Sequence, residues 1–240
     1  MKTFSLRHTL ESGQIFRYQL LNKKAIIAHK NHVFTLYEDG THDHPNDEWV
    51  KHFLREDQPE LTHKHPYVQE AINNTKGIRV LQQDPWECLV AFIISQNNHQ
   101  KRIQQNVLDI SKYGKSLTHG FHAFPKPQEF PKESELRKLG LGYRAAHIAA
   151  LKDIDLDWLY NLKHLSYQQA KQELQTLSGV GPKVADCVLL FSLGFDQACP
   201  EDTWIKKVFT KHKLTREDLG EKAGLYQQAL FHYARSESNN

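Results

Sequence analysis

Cysteine is scarce in this chain: three in 240 residues, Cys88, Cys187 and Cys199. An odd and widely spaced set provides neither a disulfide framework nor a C-x-x-C metal pair. Long apolar runs are also missing, and no stretch approaches the roughly 20 residues of a membrane-spanning helix. Met1-Lys2-Thr3-Phe4 lacks the basic-then-apolar layout of a secretory signal. The expectation is a soluble, intracellular protein without a membrane partner. A strong excess of one charge is absent as well. Net charge is +3 with fifteen histidines counted as neutral, and the pI is near 8.6. That balance permits nucleic-acid binding without arguing for it. There is no internal repeat and no long low-complexity segment, and the length suffices for a sizeable core in one domain or two.

What is present is concentrated in LSGVGPKVADC, Leu177 to Cys187, followed after one apolar helix by Pro200-Glu201-Asp202. Gly179-Val180-Gly181 reads as a tight hairpin, because glycine permits dihedrals and close approaches that side chains block. Pro182 suits the first turn of a helix, where its missing N–H costs nothing. That helix should run from Pro182 to about Leu193 and stop at Gly194. Tyr167 to Leu177 supplies a second helix with Ala170, Leu174 and Leu177 toward one face. Helix, glycine hairpin and helix together present backbone N–H groups to a phosphate, and they put Lys183 at the mouth of the helix that starts at Pro182. Asp202 follows nineteen positions later, about a helix and a short return loop, so its carboxylate can come back beside the amine.

Elsewhere, Ile15 to Leu20, Ala25 to His29 and Val33 to Tyr37 carry strand signals within a region, Phe4 to Tyr37, that reads as antiparallel hairpins. Asp47 to Glu56 looks helical, with Asn46 as N-cap. His42-Asp43-His44 and His63-Lys64-His65 invite a metal reading, but no matching ligand set stands nearby and they read as polar loop histidines. From Asp84 onward the pattern is helical. Asp84-Pro85-x-Glu87 is a helix start, and Leu89 to Ile94 is apolar all round, hence the buried centre. Gln100 to Tyr113 is the next helix, Phe124 to Pro131 a proline-rich surface loop, and Ser134 to Leu139 the start of another helical run. Ser236 to Asn240 reads as a frayed tail.

GVGPKVADC with the later Pro-x-Asp resembles the helix-hairpin-helix DNA glycosylases that carry a Gly/Pro…Asp loop, and within them the 8-oxoguanine DNA glycosylases. Four further segments are similar to that family in order: Ser12-Gly13-Gln14-Ile15-Phe16-Arg17-Tyr18; Asp84-Pro85-Trp86-Glu87-Cys88-Leu89 running on to Ser95-Gln96-Asn97-Asn98; Leu139-Gly140-Leu141-Gly142-Tyr143-Arg144; and Ala223-Gly224 with Gln227 and Phe231. Five ordered matches are far more specific than a single GVG hairpin.

The resemblance implies an α+β fold, a mainly α-helical helix-hairpin-helix glycosylase core over 77–240 behind a small N-terminal antiparallel β-sheet domain over 1–76, with the hairpin at about 167–193. It implies excision of 8-oxoguanine, preferentially opposite cytosine, by a bifunctional glycosylase and abasic-site lyase acting on double-stranded DNA as a monomer. In a bacterium or archaeon that would be cytoplasmic or nucleoid-associated. Lys183 would attack the deoxyribose C1′ and form a Schiff base, and β-elimination would follow. Asp202 would stabilise the sugar cation, although it also reads as the N-cap of the helix from Thr203 to Phe209. Cys187 and Phe231 would cover the two faces of the extruded base and Gln227 its edge; from the residues alone, Cys187 is equally a buried apolar cysteine, Phe231 core and Gln227 surface. The Gly13 carbonyl would accept the N7–H that only oxidised guanine carries. Asn97, Arg102 and Arg144 would grip the orphan cytosine, Tyr143 would wedge into the gap, and Gly179 and Gly181 would meet the DNA backbone.

No redox or nucleotide cofactor is implied. With no cysteine beyond Cys199, the four-cysteine iron–sulfur loop of endonuclease III-like relatives is excluded; a structural cation at the hairpin carbonyls stays open. Trp204 departs from the histidine many relatives have there, Gln96 from a smaller residue, and Tyr18 from tryptophan. Two other readings compete: a glycosylase for a different damaged base, and a non-catalytic helix-hairpin-helix DNA-binding module.

Overall fold

In the computed structural model, residues 3–238 are described; Met1-Lys2, part of the segment read for a signal, and Asn239-Asn240, the end of the expected tail, lie outside them. The first element is a helix, α1 (Leu6–Glu11), where strand was expected. Ser5 accepts the His8 N–H at its start, and Leu6, Thr9 and Leu10 form its buried face, a three- and four-residue spacing that belongs to a helix. Strands β1 (Tyr18–Leu20), β2 (Lys24–His29) and β3 (His32–Tyr37) then pair antiparallel in the order β1-β2-β3, with Ile27 opposite both Tyr18 and Phe34. β1 starts three residues later than expected. Ile15 and Phe16 are buried in two different apolar clusters, and the Arg17 guanidinium is buried on Glu87 at 2.5 Å.

Helix α2 (Asp47–Leu54) is capped by Asn46, whose side chain accepts the Trp49 N–H, and it packs Val50, Phe53 and Leu54 under the sheet beside Phe34. Helix α3 (Pro66–Asn74) gave no clear signal in the sequence. Its Val68 and Ala71 pack into a second cluster with α11 (Thr203–His212), α12 (Arg216–Leu219) and α13 (Ala223–Glu237). Helix α13 continues two residues, Ser236 and Glu237, into the expected frayed tail.

The largest cluster surrounds α4 (Pro85–Ser95), where Asp84 caps the Trp86 and Glu87 N–H groups and Pro85 to Ile94 is buried throughout. Packed about it are α5 (Gln100–Ser111), α6 (Glu133–Lys138), α7 (Arg144–Ala149), α8 (Leu156–Asn161), α9 (Tyr167–Gln175) and α10 (Pro182–Ser192). Phe92 of α4 stacks on Phe191 of α10 with centroids 5.3 Å apart. The proline-rich segment expected on the surface docks instead: Phe130 is buried, Phe124 and Phe130 meet Trp86 edge-on, and the Trp86 indole N–H donates to the Pro125 carbonyl at 2.8 Å. Prolines mark irregular backbone but do not forbid the aromatics between them from burying.

One buried amide ties the N-terminal segment to the helices. Gln14 Nε2 donates to the Thr9 and Arg79 carbonyls at 3.0 and 2.7 Å, and its Oε1 accepts the Leu81 N–H at 2.7 Å. Gln228 of α13 donates to the Ser12 carbonyl at 3.0 Å. Between those anchors sits Gly13.

Candidate active site

Helix α9, the turn through Gly179 and helix α10 form the expected hairpin, and the Val180 N–H closes it on the Leu177 carbonyl at 3.1 Å. Gly179 has φ +79, and a Cβ there would lie 2.6 Å from His147 Cγ. Glycine is therefore required twice over, for the dihedral and for the close approach. Gly181 is the N-cap of α10, exposed, with no side chain bonded across the helix start. The first N–H groups of α10 face outward, and a helix start in that condition is a seat for an anion.

Lys183 turns away from that seat toward the interior. Its Nζ donates to Ser95 Oγ at 3.2 Å and stands over the Phe92 ring, 5.1 Å from the centroid. One turn on, Cys187 is 2% exposed, and burial pushes its thiol up to about 12, so it is a neutral SH. Asp202 is the N-cap of α11, with Oδ1 accepting the Trp204 and Ile205 N–H groups at 3.0 and 2.9 Å. Burial raises its carboxyl above the ordinary value; the Ile205 N–H and the Lys183 charge oppose that rise. Cys187 feels the charges of both Lys183 and Asp202. The amine, the thiol and the carboxyl are thus electrostatically coupled, an arrangement that nineteen positions, a helix and a short return loop, allow.

Gly13 and two residues of α13, Gln227 and Phe231, form the other part of the predicted site. Gly13 has φ +75 and follows helix α1 rather than ending a strand. A Cβ on it would reach within 3.4 Å of Phe231 Cε1, so the loop backbone lies against the Phe231 ring. Gln227 is 3% exposed and its Oε1 has no hydrogen-bond partner. A buried carbonyl oxygen left unpaired costs on the order of 1–3 kcal/mol, and such a vacancy marks a place for a ligand N–H.

The remaining predicted residues gather on the far side of the hairpin. Asn97 is exposed with φ +46, a left-handed conformation that asparagine tolerates better than most. Arg144 is buried beneath that turn. Its Nε donates to the Gln96 carbonyl at 2.8 Å, Nη2 to the Gln96 and Asn97 carbonyls, and Nη1 to the Leu141 carbonyl at 3.3 Å. Tyr143 is half exposed with the Arg144 guanidinium over its ring at 4.5 Å. Arg102 is exposed and donates to the Gly140 carbonyl at 2.8 Å. Loop, turn and hairpin are sewn together by Gln96, which the sequence marks only as a departure from the family, and by His147, which no motif includes. Gln96 Nε2 donates to the Gly179 carbonyl at 2.9 Å, and His147 Nδ1 lies 2.9 Å from Ser178 Oγ. Trp204 is half-buried with the Lys207 ammonium over its ring. The contacts of Gln96 and His147 carry no signal in sequence, because what they touch is set by the fold alone.

Among the described residues, no group of three or more His, Cys, Asp or Glu side chains is placed to hold a metal ion, and no helix is long and apolar enough to cross a membrane.

Residues 47–89 match a family described as 8-oxoguanine DNA glycosylase, N-terminal domain. The N-glycosylase/DNA lyase OGG1 of Arabidopsis thaliana is 38% identical over 168 residues, covering 65% of this chain and 46% of that protein; this chain thus spans under half the length of that relative. The Clostridium acetobutylicum 8-oxoguanine glycosylase/lyase, solved in complex with dsDNA containing cytosine opposite 8-oxoG, superposes with a TM-score of 0.90 at 29% identity, over 99% of this chain and 94% of that one. MBOgg1, solved in complex with a low affinity DNA ligand, superposes at 0.89 with 30% identity, over 98% and 93%.

Proposed function

The chain belongs to the 8-oxoguanine DNA glycosylase family, and from that premise we propose that it excises 8-oxoguanine from double-stranded DNA and then cleaves the strand at the abasic site. The observation that carries the reading is the unpaired, buried Oε1 of Gln227 beside the Gly13 loop and Phe231. An extruded guanine offers N–H donors on its Watson–Crick edge to such an oxygen. Phe231 and Cys187 take the two faces of the base, and the Gly13 carbonyl accepts the N7–H of the oxidised form, which normal guanine lacks.

The Lys183 amine attacks C1′ with its lone pair. The glycosidic bond breaks, its electron pair leaves with the base, and the base takes up a proton. Asp202 holds a negative charge beside the cation developing on the sugar, a contribution of several kcal/mol where such groups are preorganised. After the amine loses its protons the sugar opens to an imine. That imine acidifies the C2′ protons, and loss of one expels the 3′ phosphate. This chemistry calls on no cofactor: the amine supplies the electron pair and the carboxylate the counter-charge. Tyr143 fills the gap in the stack, Asn97, Arg102 and Arg144 offer donors to the orphan cytosine, and the start of α10 at Gly181 seats a backbone phosphate. With DNA as substrate the protein would work where the genome is, in the cytoplasm or nucleoid if the cell is bacterial or archaeal, and as a monomer.

The test is borohydride trapping on duplexes with 8-oxoguanine opposite each of the four bases. Wild type should form a covalent adduct, most readily opposite cytosine, and Lys183→Gln should bind the same DNA and form none. An adduct retained in full by that variant removes Lys183 from the mechanism, and no adduct with wild type on any duplex favours a non-catalytic DNA-binding module.

A further inference from the structure

The face of α13 that carries Gln227 and Phe231 continues one turn further to Arg235. Residues four apart on a helix share a face, so Arg235 borders whatever occupies the space in front of the other two. Its guanidinium stands over the Phe231 ring, 5.2 Å from the centroid. Nη2 donates to Gln100 Oε1, at the start of α5, at 3.0 Å. A Cβ on Gly13 would lie 3.9 Å from its Nη1. Its charge is also felt at the Asp202 carboxyl and the Tyr18 hydroxyl. These neighbours place it beside Phe231 and the Gly13 loop, at the start of α5 and within electrostatic reach of the N-cap of α11.

The hydrogen-bond partner of this half-buried cation is a neutral amide rather than a carboxylate. A guanidinium in that condition has been partly stripped of water while, among the described residues, no carboxylate pairs with it in direct contact; the Asp202 carboxyl acts on it only through space. Guanidinium is also the side chain best shaped for phosphate oxygens. A nucleotide whose base lies on Phe231 and Gln227 carries its phosphodiester beyond the sugar, and Arg235, one turn along the same helix face and over the Phe231 ring, is the cation next to that base position. We propose that Arg235 is a substrate-binding residue that grips a phosphate flanking the extruded nucleotide, with Gln100 holding the guanidinium in place before DNA arrives. This rests on the base-excision reading above. The sugar is then tethered at both ends, by its base on Gln227 and Phe231 and by its phosphate on Arg235, which presents C1′ between Lys183 and Asp202.

A base oxygen and a phosphate oxygen would both accept from a guanidinium, and a lesion without a base separates them. Binding is measured in the Lys183→Gln background, which blocks turnover, on three duplexes of one sequence: undamaged, bearing 8-oxoguanine, and bearing a tetrahydrofuran abasic analogue. Arg235→Met, which keeps the stem over Phe231, should weaken binding to both damaged duplexes by about ten- to a hundredfold. It should also reduce the magnitude of the log K against log salt slope by about 0.9, while Arg235→Lys retains the slope. Thermal melts accompany each variant, with Arg235→Gln in place of a methionine variant that fails to fold. A loss confined to the 8-oxoguanine duplex overturns the assignment in favour of a base oxygen. Unchanged affinity and slope overturn it in favour of mere packing. Should the parent not prefer either damaged duplex to the undamaged one, the base-excision reading itself fails and takes this inference with it.

Discussion

On the Gly13 side of the site, Gln227 is buried with its Oε1 unpaired, and the guanidinium of Arg235 donates to an amide, Gln100, with the Asp202 carboxyl acting on it only through space. On the loop side, Arg144 is buried too, yet its guanidinium is bonded to the carbonyls of Gln96, Asn97 and Leu141, and Arg102 to that of Gly140. The Gly13 side therefore holds polar capacity in reserve for a ligand, whereas the loop side spends its capacity on its own conformation. The physical consequence differs for each. A ligand on the Gly13 side gains hydrogen bonds without breaking any, so its contacts count nearly in full. A base opposite the lesion must exchange with internal bonds at Arg144 or use what is exposed, namely Asn97, Tyr143 and the free side of Arg102. Chemistry and lesion selection should accordingly respond strongly to substitution, and opposite-base preference weakly.

Asp202→Asn tests the strong side hardest. Single-turnover excision should fall by about two to three orders of magnitude, the usual loss when a preorganised charge is removed from a developing opposite one. Stability should not follow. Asparagine caps a helix about as well as aspartate, and the Asp202 carboxyl is raised by burial. A carboxyl raised in the folded state makes the fold lose stability as pH climbs from the ordinary carboxylate range through the raised value. The asparagine variant lacks that loss, so its melting temperature at neutral pH should equal or exceed that of wild type. A matched fall in both excision and melting temperature would make Asp202 a cap and nothing more.

Gln227→Leu separates reserve from structure at the next magnitude. Removing an unpaired buried oxygen should leave the free protein as stable or more so, while affinity for 8-oxoguanine DNA falls by about ten- to a hundredfold. Equilibrium binding and a chemical melt together decide it; a destabilised variant with unchanged affinity would mean that Oε1 faces no ligand.

Arg144→Ala and Arg102→Ala should have the smallest effects on the reaction and divide on stability. Each should lower the ratio of excision opposite cytosine to excision opposite adenine by roughly fivefold, about one hydrogen bond. Only Arg144→Ala should also cost about 1–3 kcal/mol of stability, since three carbonyls of the 96–97 and 141 turns lose their donor. An unchanged ratio in both variants would place opposite-base preference elsewhere and confine these arginines to shaping the loop.

Much of this was legible because it is local. The caps at Asn46, Asp84 and Asp202, the hairpin glycine at Gly179 and the shared face of Lys183 and Cys187 follow from chemistry within a few residues of each position. Helix α1 sits at the head of a strand-rich region, Phe4 to Tyr37, that masks its signal, although Ser5 and the spacing of Leu6, Thr9 and Leu10 are helical. Helix α3 was passed over because its stability comes from Val68 and Ala71 against α13, far along the chain. Arg235 was within reach, four residues beyond Phe231, but nothing local tells a pocket arginine from a solvated one.

By itself, then, the order of residues determined the elements that short-range forces stabilise: the hairpin, the helix starts, the all-apolar α4, and the recurrence of an amine and a carboxylate one helix apart. Tertiary structure alone decided which polar groups end up satisfied. Arg144 and Gln227 are both polar residues of helices and both end up buried, yet one finds carbonyls on the 96–97 turn and the other finds nothing at its Oε1. A hydrogen bond depends on where a second, distant piece of backbone arrives to within about 3 Å, and that distance is set only when the helices pack.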